Sequence, residues 1–300
     1  MANYDVIGNI AIVKFKRGVL GREKKKWAER FLRGQKSVRT ILEKSGKFKG
    51  RLRIQATKWI AGEKTKEALY KESDCVFRLN VDSCYFSPRL SAERIELARK
   101  VRRGERVLVM FGGVAPFAIV IAKHSSPEKV FSVELSRACN KYALENVKRN
   151  KLMGRVEIVR GDVRKVIGKG RVRSKKIGHK FEKLDNQSRA VLSHSRFDRI
   201  VMARPNLKDS FLDVAFSIVR KGGVIHYYGF TENKKFSVPK TLKGKGRVSG
   251  YDEGEEEGKL KKMIVEEAGR AGRKVKILRV KKAGEIGVKR YRYRVDLKVL

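Results

Sequence analysis

Three carboxylates stand where chemistry could be done. Glu134 closes the apolar run Val130-Phe131-Ser132-Val133, Asp162 follows Gly161 after another apolar run, and Glu93 lies just beyond Pro88. An acid at the tip of a parallel strand can accept both hydroxyls of a ribose. A shorter acid one strand further on can take the exocyclic amine of adenine, although Asp162 could also simply cap the helix that follows it. Ahead of Glu134, the run Val107-Leu108-Val109-Met110-Phe111 breaks into Gly112-Gly113, where a missing Cβ lets the backbone approach a ligand. There is no Gly-x-Gly-x-x-Gly fingerprint and no phosphate loop with its lysine, so the spacing predicts a nucleoside rather than a dinucleotide or triphosphate. Together these residues point to an adenosine-containing cofactor. Glu93 falls in the first turns of its helix, where the dipole attracts negative charge.

The elements that must position these groups read as strand, glycine turn, helix, strand, helix, strand. That progression builds a parallel sheet with a crevice at the carboxyl ends of its strands. The helix carrying Glu93 spans residues 89–102, opens at Pro88, and has Leu90, Ile95, Leu97 and Ala98 as apolar positions. Before it, residues 5–16 predict a hairpin broken at Gly8-Asn9. A helix over 24–33 places Trp27, Ala28, Phe31 and Leu32 on one side, and short strands follow at 37–42, 51–55 and 75–81. Arg51 and Arg53 share parity there and so point the same way, with Lys44, Lys47 and Lys49 close by. One of the two arginines is expected to meet phosphate or a base. Residues 1–82 thus form a small α+β domain, and 83–300 a Rossmann-like one.

Further along, residues 168–195 read as a basic insertion loop holding His179 and His194, which lack metal partners at ligand spacing. A strand at 197–202 precedes an amphipathic helix at 209–219, closed by Lys221-Gly222-Gly223, and a buried strand at 224–228 with His226 as a satisfied core residue. Residues 240–258 read as a surface excursion, 259–269 as a helix, and 275–280 with 291–299 as a final antiparallel pair. A parallel sheet finished by a reversed hairpin is the usual shape of the class I methyltransferase fold.

Charge supplies the second line of inference. There are 74 Lys+Arg against 32 Asp+Glu, a net +42, and nucleic acid is the commonest partner for so basic a chain. Cys75, Cys84 and Cys139 have no paired-ligand spacing and suit a reducing cytoplasm. No leader follows Met1, and no apolar run approaches the roughly 20 residues that cross a bilayer. A cytoplasmic protein, monomeric and away from membranes, is expected.

Against this background, Val81-Asp82-x-x-Tyr85-Phe86-Ser87-Pro88-Arg89-Leu90-x-x-Glu93-Arg94 resembles the archaeal-type tRNA (guanine-37-N1)-methyltransferases. So do Met110-Phe111-x-Gly113-Val114-x-Pro116-Phe117, Gly223-Val224-Ile225-His226-Tyr227-Tyr228 and Lys49-Gly50-Arg51-Leu52-Arg53. The likeness runs from about Tyr4 to the carboxyl end, without the family's extra amino-terminal domain. It implies methyl transfer from S-adenosylmethionine to N1 of guanine 37 in tRNA, with no metal invoked. Glu93 would take the N1 proton and Arg53 stabilise charge on O6. The resemblance assigns Arg94, Phe111, Gly113, Val114, Glu134, Leu135, Asp162, Val163 and Ala203 to the cofactor. It assigns Tyr85, Arg89 and Pro205 to the substrate.

Three departures stand out. Ala203-Arg204-Pro205 replaces the family's Asn-Leu-Pro, Val109 replaces an acid after the first strand, and residues 289–293 lack a proline-centred turn. They keep two alternatives open: transfer of the aminocarboxypropyl group of the same cofactor in wyosine biosynthesis, and a tRNA-binding paralogue without activity.

Overall fold

The computed structural model describes residues 3–46, 50, 52, 54–167, 192, 196–203, 209–230, 253–287 and 290–300. Two compact units are distinguished, Met1–Ser195 and Arg196–Leu300.

The first unit opens with the expected hairpin, β1 (Asn3–Ile7) and β2 (Ile10–Lys14). Gly8 turns it at φ +57°, and a Cβ there would sit 1.9 Å from the Leu69 carbonyl oxygen, so only glycine fits. The helix α1 (Gly21–Gly34) packs Ala28 among Ala11, Val13, Val38 and Ile41. A four-stranded sheet is completed by β3 (Thr40–Lys44), parallel to β2, and β4 (Thr57–Gly62), antiparallel to β3. The strand expected at 37–42 starts three residues late, because Val38 N–H closes a turn onto Gln35 O at 2.9 Å. Of the strand expected at 51–55, Arg51 and Arg53 lie outside the described residues, and Ile54 forms only a single bridge.

Next comes a second hairpin, β5 (Glu67–Glu72) with β6 (Cys75–Asn80), of which only β6 is expected from the sequence. A 3-10 turn, Pro88–Leu90, leads into α2 (Ser91–Lys100). There follow β7 (Arg106–Met110), α3 (Pro116–His124), β8 (Lys129–Glu134), α4 (Arg137–Arg149), β9 (Val156–Arg160) and the short α5 (Val163–Ile167). β7 pairs parallel with β8, and β8 with β9, as the βαβ reading requires. Val107 to Met110 and Val130 to Val133 are all buried, the continuous apolar signature of a strand covered on both faces.

Two asparagines one turn apart fix α4 to β6. Asn150 accepts Val76 N–H and donates to Val76 O, both at 2.8 Å. Asn146 accepts Arg78 N–H at 2.8 Å and donates to Arg78 O at 3.1 Å. Each side-chain amide thus takes the place of a peptide in a neighbouring strand.

The second unit comprises β10 (Phe197–Met202), α6 (Leu212–Ile218), β11 (Val219–Phe230), α7 (Glu253–Arg270), β12 (Val275–Gly287) and β13 (Arg290–Val299). β10 runs parallel to β11, β13 antiparallel to both β11 and β12, matching the predicted reversed pair. Several boundaries differ from expectation: α6 is shorter than 209–219, and β11 and β12 are longer than 224–228 and 275–280. Lys221-Gly222-Gly223 lies inside β11, in a bulge marked by the register shift opposite Phe197 and Arg199. The helix α7 starts at Glu253, within the expected surface excursion, where a run of acids suits a helix amino terminus. The insertion expected at 168–195 lies outside the described residues except for buried Leu192.

His226 is a core residue, as expected. Its Nε2 lies 2.7 Å from an Arg199 terminal nitrogen, which can only donate, so the ring proton sits on Nδ1 and is given to Asp296 at 2.7 Å. Burial first, with Arg199 and Arg294 adding to it, holds the imidazole below its ordinary range despite Asp296.

Candidate active site

The turn after β7 is the most contorted stretch of the first unit. Phe111, Gly113 and Ala115 all take positive φ, at 62°, 57° and 64°. Two of the three are not glycine, a strained backbone that the surroundings must hold in place. Gly112 permits the closest approach, since a Cβ there would stand 2.0 Å from the Ser132 hydroxyl. Val114 is buried, and its carbonyl accepts from Asn146 at 3.2 Å.

Glu134 faces this turn from the end of β8. Its Oε2 accepts Gly113 N–H at 2.9 Å, and its Oε1 accepts Ser136 N–H at 2.8 Å. A carboxylate offers about four acceptor positions, so each oxygen keeps one for a further donor. A pair of adjacent hydroxyls matches that remaining capacity. Leu135 beside it is 37% exposed, an apolar surface at the same strand end. Asn140 of α4 braces the loop by donating to Glu134 O at 2.9 Å and Ser136 O at 2.6 Å.

Asp162 follows β9 directly. Its Oδ1 accepts Arg164 N–H at 3.0 Å, so it caps α5 as the bland sequence reading has it, while buried Val163 begins that helix. The residues Phe111, Gly113, Val114, Glu134, Leu135, Asp162 and Val163 therefore all lie at the carboxyl ends of three adjoining parallel strands. That is where open α/β sheets bind their ligands.

Glu93 sits in the first turn of α2 and is 4% exposed. The next residue, Arg94, is a large side chain that is almost fully buried. Its guanidinium grips both Glu72 oxygens, donates to Ser87 O at 3.2 and 3.3 Å, and lies over the Phe86 and Phe117 rings at 5.1 and 5.8 Å. The start of α2 is thereby tied to β5, to the segment ahead of the helix and to α3. Burial first, then the Glu72 carboxylate, pushes the Tyr70 hydroxyl up, and Tyr70 packs edge-on to Phe86 at 5.0 Å.

Tyr85 is half-buried in the segment so anchored, and Arg89 is exposed and paired with Asp5 at 2.5 Å. The Cys139 thiol of α4 donates to Ser83 O at 3.6 Å, and its nearness together with burial holds the thiol of Cys84, the residue before Tyr85, above its ordinary range. Ala203, half-buried, follows β10 in the second unit; Arg53, Arg204 and Pro205 lie outside the described residues.

Sequence reasoning missed Glu72. The signal was there: in Glu-Ala-Leu-Tyr-Lys-Glu, Glu72 shares parity with Ala68 and Tyr70, so a strand reading would have put an acid on the buried face. It also missed Asn140, Asn146 and Asn150, of which the last two recur at the i, i+4 spacing of one helix face.

The chain matches the TRM5/TYW2 methyltransferase domain over residues 68–174 and 169–247. It belongs to the TRM5/TYW2 methyltransferase family. Its fold is accordingly the class I, Rossmann-like methyltransferase fold, preceded by a small α+β region. Among TRM5/TYW2 relatives it is 34% identical, over 76% of its length, to the tRNA (guanine(37)-N(1))-methyltransferase Trm5b of Pyrococcus abyssi, and spans 60% of that protein. It is 30% identical to the tRNA (guanine(37)-N(1))/4-demethylwyosine(37)-methyltransferase Taw22 of Nanoarchaeum equitans, over 98% of this chain and 99% of that one. The crystal structure of wild-type Trm5b from Pyrococcus abyssi superposes with a TM-score of 0.75 at 30% identity, covering 99% of this chain and 74% of that one.

Proposed function

We propose that the chain is an S-adenosylmethionine-dependent tRNA methyltransferase acting at N1 of guanine 37. The observation that carries this reading is the buried Glu93 carboxylate, fixed at the head of α2 by the Arg94–Glu72 pair in the same unit as the strand-end crevice. Bound there, the cofactor would supply a methyl group already activated on a sulfonium.

The chain's own residues do the rest. Glu134 would take the ribose hydroxyls with its remaining acceptor positions, and Phe111, Gly113, Val114, Leu135, Asp162 and Val163 would hold the nucleoside at the same strand ends; the resemblance gives Ala203 to the cofactor as well. Arg94 serves the cofactor from its anchored position. Tyr85 and Arg89 would border the guanine, a role that the resemblance gives to Pro205 too. Glu93 removes the N1 proton and keeps it, leaving a lone pair on N1 for the new N–C bond. Arg53 balances the charge that this drives onto O6. Positioning and charge stabilisation suffice, because the donor carbon needs no further activation.

Residues 1–82 act as a small RNA-binding domain and 83–300 as the methyltransferase domain, working as a cytoplasmic monomer. Among the described residues no helix is long and apolar enough to cross a membrane. A second reading, aminocarboxypropyl transfer to a wyosine precursor, is favoured by Ala203-Arg204-Pro205 standing where the resemblance expects Asn-Leu-Pro.

The deciding experiment incubates purified protein with S-adenosylmethionine and unmodified tRNA, then analyses its nucleosides by mass spectrometry. A single methyl on guanosine 37 is expected. An aminocarboxypropyl adduct would replace this reading with the second, and unmodified tRNA would remove both.

A further inference from the structure

At the carboxyl end of β2 in the small sheet, the chain runs out into the loop leading to α1 through Lys14-Phe15-Lys16-Arg17. A recess of about 720 Å³ opens there, lined by Asn3, Lys14, Phe15, Lys16 and Arg17. Asn3 and Lys14 face each other across the β1–β2 ladder. All four polar lining residues are exposed, and among the described residues Lys14, Lys16 and Arg17 have no acidic partner. Three acids of neighbouring elements are already engaged: Asp5 with Arg89, Glu43 with Lys24, and Glu23 at the Leu20 N–H.

One aromatic residue lines the recess: Phe15, half-buried, has Lys24 over its ring at 5.6 Å and is backed by other rings. Phe15 meets Trp27 edge-on at 5.5 Å, Trp27 stacks on Phe31 at 5.0 Å, and Tyr4, 49% exposed, meets Phe31 edge-on at 4.9 Å. Three exposed cations around a concave site with one aromatic side chain in its lining are the makings of a single-strand nucleic-acid contact. Cations take the phosphodiester, and a ring face takes a base or ribose.

We infer that this recess binds an RNA nucleotide, forming a contact with tRNA separate from the strand-end crevice. Lys14, Lys16 and Arg17 hold the backbone phosphates and Phe15 supports the base. The inference rests on the proposed tRNA substrate and specifies where part of the affinity arises.

The test measures binding of a tRNA transcript by the full chain between about 50 and 200 mM salt, for wild type and for Lys14→Ala/Lys16→Ala/Arg17→Ala. The variant should bind about tenfold more weakly at the lower salt, with a salt slope shallower by about two. Its turnover at saturating tRNA and its affinity for S-adenosylmethionine should match wild type, and an unchanged thermal melt would show that it is folded. Phe15→Leu should weaken binding without altering the slope. Wild-type affinity and slope in the triple variant would overturn this inference alone and leave the recess to another anionic partner, such as an acidic protein. Failure of wild type to bind tRNA would overturn the substrate reading and this inference together.

Discussion

Glu93 and Arg94 are consecutive residues with different tasks. Glu93→Gln keeps the shape and removes the base, so turnover should fall about 10²- to 10⁴-fold with cofactor affinity unchanged, as rapid-quench assays and calorimetry would show. Arg94 is 1% exposed and Glu72 9%, and removing either partner strands a buried charge. Glu72→Gln should therefore cost about 3–5 kcal/mol in urea unfolding, whereas the apolar pair Glu72→Leu/Arg94→Met should recover most of it. Glu134 and Glu93 were legible because strand ends and helix starts are marked by the residues around them. Glu72 was not, since its strand carries only a weak alternation and its partner lies 22 residues away.

At the scale of elements, the β5–β6 hairpin depends on α4. Asn150→Ala would leave the Val76 N–H and C=O without their partner, and a loss of about 2 kcal/mol is expected, read from the urea midpoint at unchanged slope. The βαβ run from β7 to β9 was readable because continuous apolar strands punctuated by glycine and acids leave little choice. β4 and β5 escaped notice because each mixes charged residues into a short edge-type pattern, Thr-Lys-Trp-Ile-Ala-Gly and Glu-Ala-Leu-Tyr-Lys-Glu. Their pairing is settled by tertiary partners, which local periodicity does not encode.

For the whole molecule, pH and charge make separate predictions. His226 is neutral in the fold and held below 6.5, while the unfolded chain takes up a proton near that value. Between the depressed folded value and about 6.5 the unfolded state binds the extra proton, so stability should fall as pH drops through that window. Thermal melts of wild type and His226→Gln from about pH 7.5 to 5 would check this, the variant showing the shallower decline. With a net +42, the proposed tRNA binding should be strongly salt-dependent, which titrations at two salt concentrations would check.

Asn146 joins three strangers: a strand of the hairpin through Arg78, the strained turn through Val114, and its own helix. The same hairpin grasps α2, the helix that carries Glu93, through Glu72 and Arg94. A single clasp therefore holds both the strained turn and the start of α2, and slackening it should degrade donor affinity and turnover in step.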